Sequence, residues 1–230
     1  MGLDVGSGTG NYAFPFLKNF EQVIGLEIDK EMLSVAQRKP DAQKVRWIEG
    51  NAMAINLETA SCDAIWCIST LHYFRAERQR KLFAEIFRLL RPGAVIAVDT
   101  EFTEQHSSLR IVEYFPSLKA RYQAQIFSKQ VYKEWLEEIG FSDVRFGCFE
   151  LEQNCQDKTL CACQHKPELY LDEEFLKGLP SFHEMDPQER TTWKLTLRQD
   201  IYSGKVHQIM NTYSKQATEI GSVELILARK

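Results

Sequence analysis

The sequence predicts an α/β fold: a doubly wound, mostly parallel sheet of seven strands with a helical insertion before the last strand. Short apolar strands alternate with amphipathic helices over the first 150 residues, which is typical of a parallel sheet covered on both faces. A glycine-rich turn follows the first strand and lets the backbone bend sharply into the next segment. Helical patterns fill 151–220, and a final apolar strand follows them, which indicates an insertion.

The individual elements follow from apolar runs and their boundary residues. The first strand ends at Val5, and the others are predicted at 22–27, 45–48, 63–69, 94–99, 144–149 and 222–228. Helical segments are predicted at 12–17, from Asp29 to Pro40, at 75–90 and 129–139, and within the insertion at 172–177, 187–202 and 206–216. Asp29 should cap its helix, and Arg91-Pro92-Gly93 should end the helix at 75–90. We expect residues 1–150 with 221–230 to form the sheet domain, and 151–220 to form a lid over the substrate.

Composition narrows the class of protein. A net charge of −4 and a pI near 5.8 argue against a dedicated nucleic-acid binder. No apolar run approaches the roughly 18 residues that a membrane-spanning helix needs, so no membrane span is expected. The six cysteines are too sparse for a disulfide scaffold, and no basic leader precedes the first strand. These features predict a cytoplasmic protein.

The glycine turn reads Asp4-Val5-Gly6-Ser7-Gly8-Thr9-Gly10 and suggests a nucleotide-binding corner. A nicotinamide or flavin dinucleotide site prefers G-x-G-x-x-G, but the third glycine position of that pattern holds Asn11. The observed spacing, preceded by an acid, suits S-adenosylmethionine better. That cofactor has no pyrophosphate, and Asp4 can face its positive methionine end.

Six stretches in order carry a resemblance to a known family. They are LDVGSGTGNYAFPF, QVIGLEIDKEML, WIEGNAMAI, CDAIWCISTLHYF, EIFRLLRPGAVIAV and WLEEIGFSDV. On these residues the chain resembles a class I, Rossmann-like S-adenosylmethionine-dependent methyltransferase of the ubiquinone/menaquinone-methyltransferase-like branch. The resemblance covers most of residues 1–146 and implies S-adenosyl-L-methionine as the cofactor.

The resemblance also implies roles for particular residues. The glycine turn would form the floor under the methionine part of the cofactor, and the acid after the second strand would accept both ribose hydroxyls. Asn51 stands where the family has an aspartate for the adenine amino group, so its amide oxygen would accept instead; a turn asparagine is the alternative. The implied cofactor-binding residues are Asp4, Gly6, Ser7, Gly8, Gly10, Glu27, Ile28, Met32, Asn51, Ala52, Met53, Ile68 and Ser69.

Similar family members carry a further helix before the first strand that helps to close over the cofactor. The present sequence enters that strand at Met1, so either its start is truncated or the site is unusually open. In the open case a weak cofactor affinity is expected, which the insertion would offset in part.

His72 is the candidate catalytic residue. Methyl transfer from a sulfonium mainly requires alignment, and a general base is needed only when the acceptor arrives protonated. His72 follows the fourth strand, where the methyl group is expected, and its ordinary pKa near 6.5 suits proton transfer. Tyr73 and Glu101 are weaker candidates, and a His72 that only contacts the loop or solvent is the alternative.

The acceptor is predicted to be a small molecule, bound by 101–127 and 151–220. Aromatic residues there could line a pocket or form a core: Tyr114, Phe115, Tyr122, Phe127, Tyr170, Phe182 and Trp193. A catalytically silent cofactor-binding regulator and an RNA methyltransferase remain alternatives. The basic residues of 75–91 are interpreted as a solvated helix face. Cys155, Cys161, Cys163 and His165 depart from zinc-ligand spacing, so no metal is expected.

Overall fold

The fold was analysed in a computed structural model that describes residues 1–103, 113–149, 166–179, 182, 185–210 and 223–230. It divides into two compact units. The sheet unit comprises 1–101, 127–147 and 224–230, and the helical unit comprises 102–126 and 148–223. The zinc candidates Cys155, Cys161, Cys163 and His165 lie outside the described residues. The described helices include none that is long and apolar enough to cross a membrane.

Seven strands form a single sheet in the order β3-β2-β1-β4-β5-β7-β6, which confirms the predicted fold class. The strands span Gly2–Val5 (β1), Val23–Glu27 (β2), Val45–Glu49 (β3), Cys62–Cys67 (β4), Leu90–Thr100 (β5), Ser142–Phe149 (β6) and Val223–Arg229 (β7). The first five strands pair in parallel, whereas β7 pairs with β5 antiparallel. The chain moves outward from β1 in both directions, so the switch in strand order lies between β1 and β4, where α/β sheets bind ligands.

The helices follow the predicted apolar stripes with small shifts at their ends. They span Lys30–Gln37 (α1), Ala76–Leu89 (α2), Pro116–Gln123 (α3), Lys129–Ile139 (α4), Glu173–Lys177 (α5) and Pro187–Tyr202 (α6), and residues 205–210 are also helical. Asp29 caps α1 as predicted, since its side chain accepts hydrogen bonds from two N–H groups of the first turn. The segment after the glycine turn forms a 3-10 helix, Phe14–Lys18, and Pro15 lies in its first turn, where no intrahelical N–H donor is needed.

The predicted stop at Pro92 is corrected by the structure. α2 ends at Leu89, and β5 begins at once with Leu90, so Pro92 and Gly93 lie within the strand. The pairing of β5 with β4 shifts register between Cys62 and Ala64, and this irregularity accommodates a residue that cannot donate to the ladder.

The two faces of the sheet have different cores. On one face, Leu3, Ile24 and Ile65 are paired in register and fully buried. The other face carries a cluster of Val23, Val45 and Trp66. The segment after the glycine turn covers that cluster with Ala13 and with four partly buried residues: Tyr12, Phe14, Leu17 and Phe20. The short 3-10 segment therefore replaces a full crossover helix on this face.

The helical unit has its own aromatic core, which bears on whether the aromatic residues of the insertion line a pocket or form a core. Tyr114, Phe115, Tyr170, Phe182 and Trp193 are all buried there, so they form a core. The hydroxyl of Tyr114 donates to Asp200 at 2.8 Å, which ties 113–126 to α6. The sequence interpretation assigned 102–126 to the sheet domain, whereas the structure groups these residues with the helical unit. The side chain of Tyr122 lies outside the described residues, and Phe127 packs beside Trp135 in the sheet unit.

Gly10 offers a test of how tightly the glycine turn packs. Its φ is 85°, and a Cβ there would approach Trp47 Cη2 to 2.7 Å and Phe14 Cε2 to 3.0 Å. Gly93 has a similar φ of 82° with nothing within 4 Å of such a Cβ. We expect Gly93→Ala to lower the free energy of unfolding by about 1 kcal/mol through backbone strain. Gly10→Ala should lower it by about 2–4 kcal/mol, because crowding adds to strain. Urea unfolding compares the two, and equal losses would contradict close packing at Gly10.

Candidate functional site

The glycine turn is held against β2 by backbone hydrogen bonds. The N–H groups of Gly6 and Ser7 both donate to the Leu26 carbonyl at 2.9 Å, and the Gly10 N–H donates to Ser7 O at 2.7 Å. Gly6, Gly8 and Gly10 all have positive φ values, which only glycine adopts without strain. The predicted roles of Gly6 and Ser7 therefore cannot rest on their N–H groups, since both are already used within the protein.

Gly6 and Gly8 differ in what surrounds them. A Cβ on Gly6 would lie 2.3 Å from Thr70 Oγ1, and the Thr70 hydroxyl is 3.2 Å from Gly6 O and 3.1 Å from Ile68 O. The first and fourth strand ends are thereby locked together. Among the described residues, a Cβ on Gly8 would meet only Met32 Sδ, at 3.7 Å. The space beside Gly8 is thus open toward Met32, which is compatible with a bound ligand.

Glu27 ends β2 and joins three backbone groups with one carboxylate. Its Oε2 accepts the Gly8 N–H at 2.8 Å, and its Oε1 accepts the N–H groups of Ile28 and Asp29, also at 2.8 Å. The residue is only 8% exposed. A carboxylate oxygen can accept two hydrogen bonds, so Oε2 retains the capacity for a further donor.

Asp4 is the most unusual polar group of the site. It is 1% exposed on β1, and its Oδ2 has no hydrogen-bond partner among the described residues. Burial raises the pKa of Asp4 to about 8; the nearby indole N–H of Trp66 opposes the rise, and the charge of Glu27 adds to it. The Ser7 hydroxyl is likewise buried without a described partner, over Gly25. Buried polar atoms without partners are rare, and they are expected where a ligand completes the site.

The loop after β3 carries Asn51, which was predicted to face the adenine, and two further predicted cofactor-binding residues, Ala52 and Met53. Asn51 Oδ1 accepts the Met53 N–H at 2.9 Å, and the Asn51 carbonyl accepts the Ala54 N–H at 3.0 Å. Asn51 is therefore a turn residue, as the alternative interpretation stated, although its amide oxygen can accept one more hydrogen bond. Ala52 and Met53 are partly buried in the same turn.

Two apolar side chains are exposed beside the glycine turn. Ile28 is 66% exposed and Met32 is 36% exposed, and both belong to the segment that follows Glu27. Exposed apolar side chains next to an open glycine turn are suited to contact a planar ring.

Ser69 and Asp99 form a contact that the sequence interpretation missed. Ser69 has a positive φ of 54°, and its N–H donates to Asp99 Oδ1 at 2.6 Å. Strained backbone of this kind concentrates at functional sites. Burial raises the pKa of the neighbouring Cys67 thiol well above its usual range, and the charges of Asp99 and Asp4 contribute. An acid that directly follows the apolar run of the fifth strand was the available signal for Asp99.

His72 lies in a 3-10 turn, Leu71–Tyr73, directly after β4. Its ring centroid is 4.2 Å from that of Tyr73. The turn is held from behind by the buried Gln79 amide, which donates to Phe74 O at 2.8 Å and accepts from the Tyr132 hydroxyl at 3.0 Å. The structure therefore fixes the position of the His72 segment at the carboxyl end of β4.

Together these residues form an acidic, partly open site at the carboxyl ends of β1, β2 and β4. Buried carboxylates favour a cationic ligand, and Glu27 favours hydroxyl or N–H donors. This combination of sheet order, glycine turn and acid after β2 defines the class I, Rossmann-like methyltransferase fold.

Comparison with known proteins gives the same class. Residues 3–98 match the family model of a methyltransferase domain. The demethylmenaquinone methyltransferase of Lactococcus lactis is 30% identical over 151 residues, covering 59% of this chain and 56% of the relative. An uncharacterised methyltransferase-like protein of Schizosaccharomyces pombe is 27% identical over 150 residues, covering 64% and 56%. The matched stretches thus span about half the length of these curated relatives.

Solved structures share the fold over the whole chain. A protein of Anabaena variabilis, provisionally assigned as a methyltransferase of antibiotic biosynthesis, has a TM-score of 0.79 and 24% identity, with 99% of this chain and 89% of that one covered. The phosphoethanolamine N-methyltransferase 2 of Haemonchus contortus, solved with phosphomonomethylethanolamine and S-adenosylhomocysteine, has a TM-score of 0.58 and 17% identity. That match covers 100% of this chain and 48% of the nematode enzyme.

The buried Asp4 predicts a pH-dependent stability. Its pKa is about 8 in the folded chain against an ordinary value of 3.8, so folding takes up a proton between these pH values. Protonation of Asp4 favours the folded state, and its contribution to the free energy of unfolding is fully present below about pH 4 and is lost as the pH rises toward 8. Relative to wild type, Asp4→Asn should gain at most about 1.4 kcal/mol of unfolding free energy per pH unit in that window, and nothing further above it.

Urea unfolding at several pH values measures this difference. Glu49→Gln, at an exposed acid on β3 of the same sheet, is the matched control and should show no such slope. A pH-independent difference between Asp4→Asn and wild type would show that Asp4 is ionised in the folded protein.

Proposed function

We propose that this protein is an S-adenosylmethionine-dependent methyltransferase that acts on a small-molecule acceptor. The observation that carries the proposal is a buried Asp4, whose Oδ2 has no hydrogen-bond partner among the described residues, close enough to Glu27 for the charge of Glu27 to raise its pKa. A pyrophosphate at this turn would keep Asp4 in its neutral form, whereas a cationic ligand would favour its charged form and be stabilised by it. A ligand with a positive centre and a vicinal diol fits the same residues.

The roles of the residues follow from their chemistry. Glu27 would accept the ribose hydroxyls, and Oε2 has capacity for one of them beside the Gly8 N–H. Asp4, which burial keeps protonated at neutral pH in the free protein, would ionise beside the positive methionine end and supply negative charge there. The open side of Gly8 leaves room for a close backbone approach. Ile28 and Met32 would cover the adenine ring, and Asn51 would accept from its amino group through its remaining lone pair.

When bound, S-adenosylmethionine supplies an activated methyl group that is transferred by in-line displacement. The protein then has to hold the acceptor in line and exclude water. The turn at 71–73 is suited to this because Gln79 holds it from behind. His72 would remove a proton from an acceptor that arrives protonated.

The contacts of the basic side chains on α2 weaken the alternative of an RNA methyltransferase. Most of the basic side chains at 75–91 are exposed, in agreement with the predicted solvated face. Arg80 and Arg91 form surface ion pairs with Glu138 and Asp63, and Arg88 is engaged with the loop after β3. Side chains already paired with carboxylates are less available to phosphates. A cytoplasmic location and a helical lid over the acceptor remain parts of this proposal.

Cofactor binding is tested at Glu27. Glu27→Gln keeps the shape but removes the charge, so S-adenosylhomocysteine should bind about 10- to 100-fold more weakly, as expected for loss of charge-assisted hydrogen bonds. Glu49→Gln is the matched control, because Glu49 is the register partner of Glu27 on β3 and should leave binding unchanged. Isothermal titration measures both. Equal affinities of the two variants would exclude Glu27 from the site, and binding without methyl release onto any extract component would indicate a silent regulator.

The role of His72 is tested by turnover with an acceptor found in a metabolite-extract methylation screen. General bases contribute about 10²- to 10⁴-fold, so His72→Ala should lower turnover by at least about 100-fold while S-adenosylhomocysteine affinity is unchanged. Tyr73→Ala removes the neighbouring tilted ring and serves as the comparison. A loss below about threefold for His72→Ala would reject the base and leave His72 a loop residue.

A further inference from the structure

The loop between β3 and β4 is fixed at its start by β2. The Gly50 N–H donates to the Glu27 carbonyl at 2.9 Å, so the loop leaves β3 beside the acid of the site. The next residues form the Asn51 turn described above, in which the Met53 N–H is held by Asn51 Oδ1 at 2.9 Å. The position of this turn therefore also depends on what holds the loop beyond Ala54.

Arg88 of α2 holds that part of the loop with its entire guanidinium group. Two N–H groups bind Glu85 at 2.8 and 2.7 Å. The others bind Ile55 O at 3.0 Å, Leu57 O at 3.0 Å and Thr59 Oγ1 at 3.2 Å. A guanidinium has five N–H donors in a rigid fork, and all five are used here. A lysine ammonium has three donors and cannot reproduce this pattern.

Glu85 completes the same contact from one turn earlier on the helix. Its Oε1 accepts the Ile55 N–H at 2.8 Å, so both the N–H and the carbonyl of Ile55 are bound by this pair. Ile55 is 4% exposed, which anchors the loop further. The Arg88 guanidinium lowers the pKa of Glu85 by hydrogen bonding, so the carboxylate is charged at neutral pH. Such charge-assisted contacts are the strong ones.

We propose that Glu85 and Arg88 are positioning residues that set the nucleobase selectivity of the site by fixing the loop at 51–57. The inference rests on the proposed function, because the loop matters to selectivity only if it faces the base of a nucleoside cofactor. Glu85 and Arg88 bind the N–H and the carbonyl of Ile55, the residue directly after Ala54. Loss of these hydrogen bonds would therefore release the neighbouring Asn51 turn. Arg78, on the same helix, is exposed and serves as a matched control.

The test measures two dissociation constants for each variant, with S-adenosylhomocysteine and S-inosylhomocysteine as probes. The two ligands differ only at the base edge that the loop would read. Wild type should prefer the adenine ligand. Arg88→Lys should bind S-adenosylhomocysteine about 3- to 30-fold more weakly, with a smaller loss for the inosine ligand, so that the preference falls. Arg78→Lys should leave both constants unchanged. Glu85→Gln is the second variant, and it should shift the preference in the same direction as Arg88→Lys.

The outcomes separate this inference from the proposed function. If wild type binds neither ligand, the proposed function fails and the selectivity role falls with it; faster amide hydrogen exchange at 53–57 in Arg88→Lys would still report the clamp. If wild type binds without preferring adenine, or if both variants lose affinity equally for the two ligands, the selectivity role is overturned while cofactor binding stands. Thermal unfolding shows whether each variant is folded. If Arg88→Lys or Glu85→Gln fails to fold, the ligand preference of the other variant tests the selectivity role.

Discussion

The rest of the site depends on Glu27, whose carboxylate accepts hydrogen bonds from three backbone N–H groups. It connects the glycine turn after β1 with the start of α1. A charged acceptor is needed because a neutral side chain of the same size offers fewer lone pairs to donors that are partly withdrawn from water. The same residue uses its backbone carbonyl to start the loop after β3. One residue at the end of β2 thus organises three of the loops that surround the switch point.

The other loops of the site are held from outside by helices. α2 supplies Gln79 for the turn that carries His72, and Arg88 with Glu85 for the loop that carries Asn51. All three side chains belong to α2, so a single helix supports two loops. Such support is effective because a helix is stiff and keeps the spacing of its side chains constant.

Periodicity and boundary residues predicted the strands, the Asp29 cap and the helix at 187–202, because these depend on local pattern. Three features of the site could not be predicted this way. The partners of Glu27 depend on how its side chain turns back over the glycines, and the partners of Arg88 depend on the path of a loop without periodic pattern. Pro92 was expected to separate helix from strand, but a shift in strand register accommodates it instead.

The hydrogen bond between Tyr114 and Asp200 has a consequence for folding. It joins residues 86 positions apart, and the two segments of the helical unit are separated in the chain by α4 and most of β6. Its core therefore cannot be completed until that intervening chain has been brought into a closed loop, which carries an entropic cost and slows folding. A fragment that contains only 148–223 would lack Tyr114 and Phe115, and it would leave Asp200 in a core with its aromatic partner missing. The helical unit is therefore discontinuous in the chain, and its core needs both segments.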